Sequence, residues 1–138
     1  MSENRDPSAR SALTTGWLLL AVSLPLGLTL EALHAMKVEV YLGSALRREL
    51  WTLAHAHGNL LGLACVLYGA TCERWIVAAA RAPIGRLLRA GAVLMPLGFF
   101  LGGVMSSEGD PSLGVLLVPL GGLLLVVALA RCALSTSR

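Results

Sequence analysis

The chain has 138 residues, 56% hydrophobic and 14% charged, with a formal net charge of +3 and a mean hydropathy of +0.73. Soluble domains carry roughly 25% charged residues, so this composition excludes an ordinary soluble domain and defines an integral membrane protein. The small positive charge is accounted for by basic residues flanking the apolar runs, and nothing in it points to a nucleic-acid partner.

Residues 1–13 are polar and mixed in charge and read as a flexible tail, followed by a single domain over 14–138. Apolar runs cover about 14–36, 51–71, 87–105 and 113–134. Each has the ~20 residues that a ~30 Å hydrocarbon core requires at ~1.5 Å per residue. Without water, backbone groups must pair inside the segment, so the runs become helices, and short connections make neighbours antiparallel. The fold class is therefore all-α, an antiparallel four-helix membrane bundle. The first run is too long for the apolar stretch of a signal peptide, and no clear small-residue cleavage site follows it.

Within that frame the loops and breakers are legible in order. Pro25 is expected to kink the first helix without ending it, with Ser23 and Thr29 close enough to re-satisfy backbone groups. The segment 37–50, "KVEVYLGSALRREL", is amphipathic and suits the outer interface. Pro83 and Gly85 are expected to end the structure that precedes them. "GFFLGG" in the third run allows a close neighbour. In "SSEGDPS", Asp110 or Ser112 would stand near the cap of the fourth helix. Arg5, Arg10, Arg74, Arg81, Arg86, Arg89, Arg131 and Arg138 fall on one side, against Lys37, Arg47 and Arg48 on the other. That bias predicts a multi-pass cell-membrane protein with both termini cytoplasmic. Cys65, Cys72 and Cys132 have no C-x-x-C-H context, which excludes covalent c-type haem and leaves them as small buried hydrophobes.

Polar residues inside the apolar runs cluster at one depth, the outer half of the membrane. Glu31 and His34 end the first helix, His55, His57 and Asn59 begin the second, and Met105, Ser106 and Ser107 close the third. Intramembrane ionisable groups mark functional sites by default. At about 100° per residue, His55 and Asn59 share a face while His57 lies about 200° round from His55. One regular helix therefore cannot offer both histidines to one metal: one faces the pocket and the other a neighbouring helix, subunit or interface. His55 lies deeper than the helix mouth, beside Gly58 and Gly62, which would leave room for something bulky. A lone imidazole in an apolar setting suits haem iron, whose usual protein donor is neutral histidine.

"LWTLAHAHGNLLG" resembles the opening of the second helix of the membrane styrene oxide isomerases. Trp51, His55 and Gly62 keep that family's tryptophan–histidine–glycine spacing. "SSEGDPSLGVLLVPLGGLLL" is similar to its Gly-Asp-containing third loop and proline-bearing fourth helix, and "RLL" at 86–88 to a triplet before its third helix. The related hydroxylaminobenzene mutases share the four-helix plan and a histidine at this place. The resemblance implies haem b with His55 as axial ligand, Trp51, Gly58 and Gly62 around the cofactor, and a trimeric homo-oligomer with haem near the subunit interfaces. It also implies a small hydrophobic substrate, an aromatic epoxide or an arylhydroxylamine, rearranged with ferric iron as Lewis acid. The chain departs from the family at two points: Leu61 stands where the family has asparagine, and Gly103 where it has a catalytic tyrosine. Tyr41 and Tyr68 lie elsewhere in the sequence. Asn59 and Glu31 are the catalytic candidates that remain. His57 or His34 as a second iron ligand would instead give a bis-histidine electron-transfer or sensing protein. A haem-free transporter coupling protons through Glu31, and a structural assembly subunit, complete the set of expectations.

Overall fold

The fold is seen in a computed structural model, which describes residues 5–104, 106 and 109–136. It is all-α. Helix α1 spans Pro7–Ala35, a short α2 spans Glu39–Leu42, α3 spans Ala45–Trp75 and α4 spans Ala78–Val104. A 3₁₀ turn, Leu113–Leu116, leads into α5, Leu117–Leu134. The four long helices are each apolar and long enough to cross a membrane, α5 together with its 3₁₀ turn.

Three helices start or run differently from the apolar runs. The polar stretch 7–13 is helix rather than tail, because Asp6 and Pro7 form a start signal. The Asp6 carboxylate accepts from Ser8 N–H at 2.7 Å, and Pro7 gives up an N–H the first turn could not have paired. Ala9 and Ala12 are then fully buried. Helix α3 starts six residues before its apolar run, where the Ser44 hydroxyl accepts from Arg47 N–H at 3.2 Å. Pro83 and Gly85 do not end a helix: both lie inside α4, with Gly85 buried against the Tyr68 ring. Their breaking tendency is overridden by packing. Pro25 likewise lies within a continuous α1, and the Thr29 hydroxyl donates to Pro25 O at 2.8 Å. Ser112 does not cap through its side chain; its hydroxyl donates to Leu101 O at 2.7 Å and ties the loop to α4.

Helix α3 packs on α1 and α4, α4 packs on α3 and α5, and α1 meets α4 over a limited stretch. Among the described residues α5 packs on no long helix except α4. The arrangement is a row curled back so that α1 approaches α4. Small residues set the close approaches: Gly62 on Gly16, Gly91 on Gly121, and Gly98 on Val118. The buried cluster includes Cys65, Cys72, Tyr68, Ile84 and Leu88, and all three cysteines are free thiols.

The two ends of the row are joined differently. At one end Asp6 N–H donates to Glu73 at 2.6 Å, and Arg81 reaches Asp6 at 3.5 Å and Glu73 O at 2.8 Å. Val77 N–H donates to Ser135 O at 3.2 Å beside an Ile76–Thr136 bridge. The N-terminal, C-terminal and α3–α4 segments thus meet at one end. The other end holds α2, the start of α3 and the polar residues singled out in the sequence.

Candidate functional site

The two histidines of α3 point in opposite directions, as the helical step requires. His57 faces α4: its ring lies 4.9 Å from that of Phe99, and its Nδ1 sits 2.9 Å from Leu53 O of its own helix. His55 faces α1, with Nδ1 2.8 Å from Ser23 O. A carbonyl only accepts, so Nδ1 carries the proton in this contact, and in the neutral tautomer this selects, Nε2 is the nitrogen with the lone pair. The Asn59 amide nitrogen lies 3.3 Å from both ring nitrogens. Equal distances place it on the plane bisecting the two nitrogens, off the in-plane axis of the Nε2 lone pair. Asn59 Oδ1 is buried with no hydrogen-bond partner among the described residues.

The imidazole reaches Ser23 O because α1 has Gly27 opposite it. A Cβ on Gly27 would land inside the His55 ring. Around this contact lies a cleft of about 480 Å³ lined by Leu24, Gly27, Leu28, Leu30, Glu31, Tyr41, Thr52 and His55. It opens on the outer side of the α1–α3 pair, where Leu24, Leu28 and Glu31 are exposed. Glu31 makes no hydrogen bond or ion pair with the described residues, His34 included.

Tyr41 forms one wall of the cleft and is only 5% exposed. Its ring stacks on Trp51 (6.2 Å, 15°), which stacks on Phe100 (5.7 Å, 18°) and donates from Nε1 to Phe100 O at 3.1 Å. Arg47 lies 5.8 Å over the indole and donates to Gly103 O at 3.0 Å and to Val40 O, which fixes α2 against α3 and α4. The indole edge occupies the place a Cβ on Gly103 would need. Trp51 therefore acts on the cleft through Tyr41 and is not among its lining residues. His34 is exposed, meets the Tyr41 ring edge-on at 6.5 Å, and borders an adjoining cleft with Arg48, Glu49 and Thr52.

Two expectations change. The space beside Gly58 and Gly62 is filled by α1: Gly58 meets Ser23, and Gly62 meets Gly16 O, Leu19 and Leu20. These glycines set the α1–α3 distance and leave no room for a cofactor; the glycine that accommodates the His55 ring is Gly27. His57 is turned away from the cleft and cannot share a ligand with His55 from the same chain. Of the residues expected at the end of the third helix, Met105 and Ser107 lie outside the described residues. Ser106 donates to Gly103 O at 3.3 Å and does not line the cleft. The sequence reading missed Tyr41, Thr52 and Gly27. A signal existed, since positions 24, 27, 28 and 31 fall on one helical face that ends in a carboxylate.

Among the described residues no three of His, Cys, Asp or Glu converge to hold a bare metal ion. A porphyrin brings four donors of its own and asks the protein for one imidazole, and His55 is among the residues that line the cleft. Comparison with protein-family models, curated proteins and solved structures finds no match to this chain.

Proposed function

We propose that the chain is a membrane haem b protein in which His55 Nε2 holds the iron, and that it resembles isomerases of small aromatic epoxides or arylhydroxylamines. The observation that carries the proposal is the His55 Nδ1–Ser23 O hydrogen bond at 2.8 Å. An imidazole whose second nitrogen donates to a backbone carbonyl is fixed in tautomer and orientation as a metal ligand. Its apolar surroundings, Leu24, Leu28 and Leu30, suit a porphyrin edge.

Ferric haem, when bound, supplies Lewis acidity toward an epoxide or N–O oxygen. The chain's own residues do the rest. Ser23 O and Gly27 hold the His55 ring in one orientation. Leu24, Leu28 and Leu30 give the cleft an apolar lining, and a low-dielectric setting strengthens charge effects there. Glu31, when ionised, stabilises positive charge developing on a substrate carbon. Tyr41 Oη donates to none of the described residues and offers a proton to an oxygen bearing negative charge. Because the cleft opens outward, a second copy of the chain would cover its other side, in keeping with a homo-oligomer, a trimer by resemblance. The arginine bias puts the end carrying both termini on the cytoplasmic side.

The test is the visible spectrum of the detergent-purified chain after haem-supplemented expression, together with product analysis on styrene oxide. A high-spin ferric spectrum with aldehyde formed from the epoxide supports the isomerase reading. A low-spin spectrum altered by His34→Ala points instead to bis-histidine ligation and electron transfer or sensing. The absence of any Soret band would overturn both haem readings and return the choice to a proton-coupled transporter using Glu31 or a structural assembly subunit.

A further inference from the structure

A second cleft system, sharing no lining residue with the His55 cleft, lies where α1 curls toward α4. Its larger part, about 530 Å³, is floored by Ser23, Ala54 and Pro96 and walled by apolar side chains such as Val22, Leu26 and Leu97. It runs along α1 from Thr15 to Leu26, about 16 Å at the ~1.5 Å helical rise. At the Thr15 end it shares Thr15 and Val93 with a smaller cleft, about 460 Å³, that also contains Arg86 and Arg89. The two clefts are therefore one groove with a cationic end and an apolar body.

The cationic end is uncompensated. No carboxylate lines it. Arg86 makes no hydrogen bond or ion pair with the described residues, and the Thr15 hydroxyl makes none either. Arg89 uses only Nε, donating to Gly85 O at 3.1 Å. By contrast Arg81, on the preceding turns of α4, is engaged by Asp6, Ile76 O and Glu73 O. Arg86 and Arg89 stand three residues apart on one helix face. They lie at the border of the apolar run, the depth at which phosphate headgroups meet a membrane helix.

A groove of this shape and charge matches an amphiphile with an anionic head and an acyl tail. We propose that the α1–α4 groove is a binding site for one anionic phospholipid. The phosphodiester is taken by Arg86, Arg89 and the Thr15 hydroxyl, and one acyl chain lies between α1 and α4 over Ser23, Ala54 and Pro96. Guanidinium groups bind phosphate through paired N–H donors, and with no carboxylate beside them the two arginines repel the quaternary ammonium of a zwitterionic choline headgroup, so the head site favours a net-anionic lipid. The acyl chain fills the space where α1 and α4 do not reach each other, so the lipid acts as a wedge that fixes their separation. Because Ser23 lies in the groove floor and its carbonyl holds the His55 ring, the lipid also borders the His55 site. The proposal does not depend on haem binding.

Native mass spectrometry of the full detergent-solubilised chain tests it, with phosphatidylglycerol, phosphatidylcholine and inorganic phosphate added separately. One retained phosphatidylglycerol per chain is expected, with phosphatidylcholine retained far less and phosphate not at all. Arg86→Gln with Arg89→Gln should weaken retention roughly tenfold or more. Val22→Trp with Leu97→Trp, which fills the groove and leaves the arginines in place, should reduce it similarly and decides the question if the arginine variant does not fold. Arg74→Gln, outside the groove, should leave it unchanged. Equal retention of both lipids, retention unaffected by either double variant, binding of phosphate alone, or a second copy of the chain displaced by Val22→Trp would overturn the proposal.

Discussion

His55 is defined by three neighbours: Ser23 O fixes its proton, Gly27 gives its ring space, and Asn59 lies against it. Gly27→Ala should therefore displace the ring. Overpacking of this kind costs ~1–3 kcal/mol, and we expect a lower thermal midpoint together with loss of bound haem; an unchanged spectrum would show that Gly27 does not set the ring position. Asn59 carries a buried, unpartnered Oδ1. Because an unsatisfied buried acceptor costs ~1–3 kcal/mol, Asn59→Leu should keep or raise the unfolding midpoint, and a large drop would mean that Oδ1 has a partner in the assembled protein. His57→Ala should leave haem content untouched, since the ring packs on Phe99. The divergence of the two histidines was legible in the sequence, because 100° per residue fixes it for any straight helix. What Gly58 and Gly62 face was not. Both stand on the side of α3 that α1 covers, and a glycine reads the same whether a cofactor or a backbone lies over it. Tyr41 was also hidden, because its place depends on Arg47 holding Val40 O.

Helix ends carry the differences at the scale of elements. Hydropathy located the four spans, since each apolar run forces a helix, but it underestimated α1 and α3, whose first turns are polar and held by caps. The Asp6 carboxyl sits below its usual range, chiefly because it accepts from the Ser8 backbone N–H and also because Arg81 lies beside it. A depressed carboxylate contributes stability that is complete above its ordinary value of ~3.9 and lost as pH falls through the lowered folded value. Amide protection of the first turns of α1, corrected for intrinsic exchange, should hold down to about pH 4 and fail below it. Asp6→Ala should weaken that protection above about pH 4, by the ~1 kcal/mol typical of an N-cap, and should remove its pH dependence. Protection independent of both pH and Asp6 would show that burial of Ala9 and Ala12 alone forms this turn.

At the scale of the whole molecule, the curled row explains why the site lies where it does. Helix α3 is covered by α1 on one side and α4 on the other, so His55 and His57 are sorted into different neighbourhoods by topology. Helix α5 buries only a stripe of Gly121, Leu125 and Ala128 on α4, leaving Leu120, Leu123, Val126 and Leu129 exposed for lipid or further copies of the chain. The all-α membrane class was readable from composition. The sides on which clefts open were not, because they depend on how far α1 swings toward α4. The functional proposal stands on the His55 ring that the Ser23 carbonyl holds beside the outward-facing cleft. The most direct test of it is the absorption spectrum of wild type, His55→Ala, His34→Ala and His57→Ala after haem-supplemented expression. The proposal predicts a Soret band in wild type that is lost in His55→Ala and kept in the other two. A wild type without haem, or a His55→Ala variant that binds it as before, would contradict it.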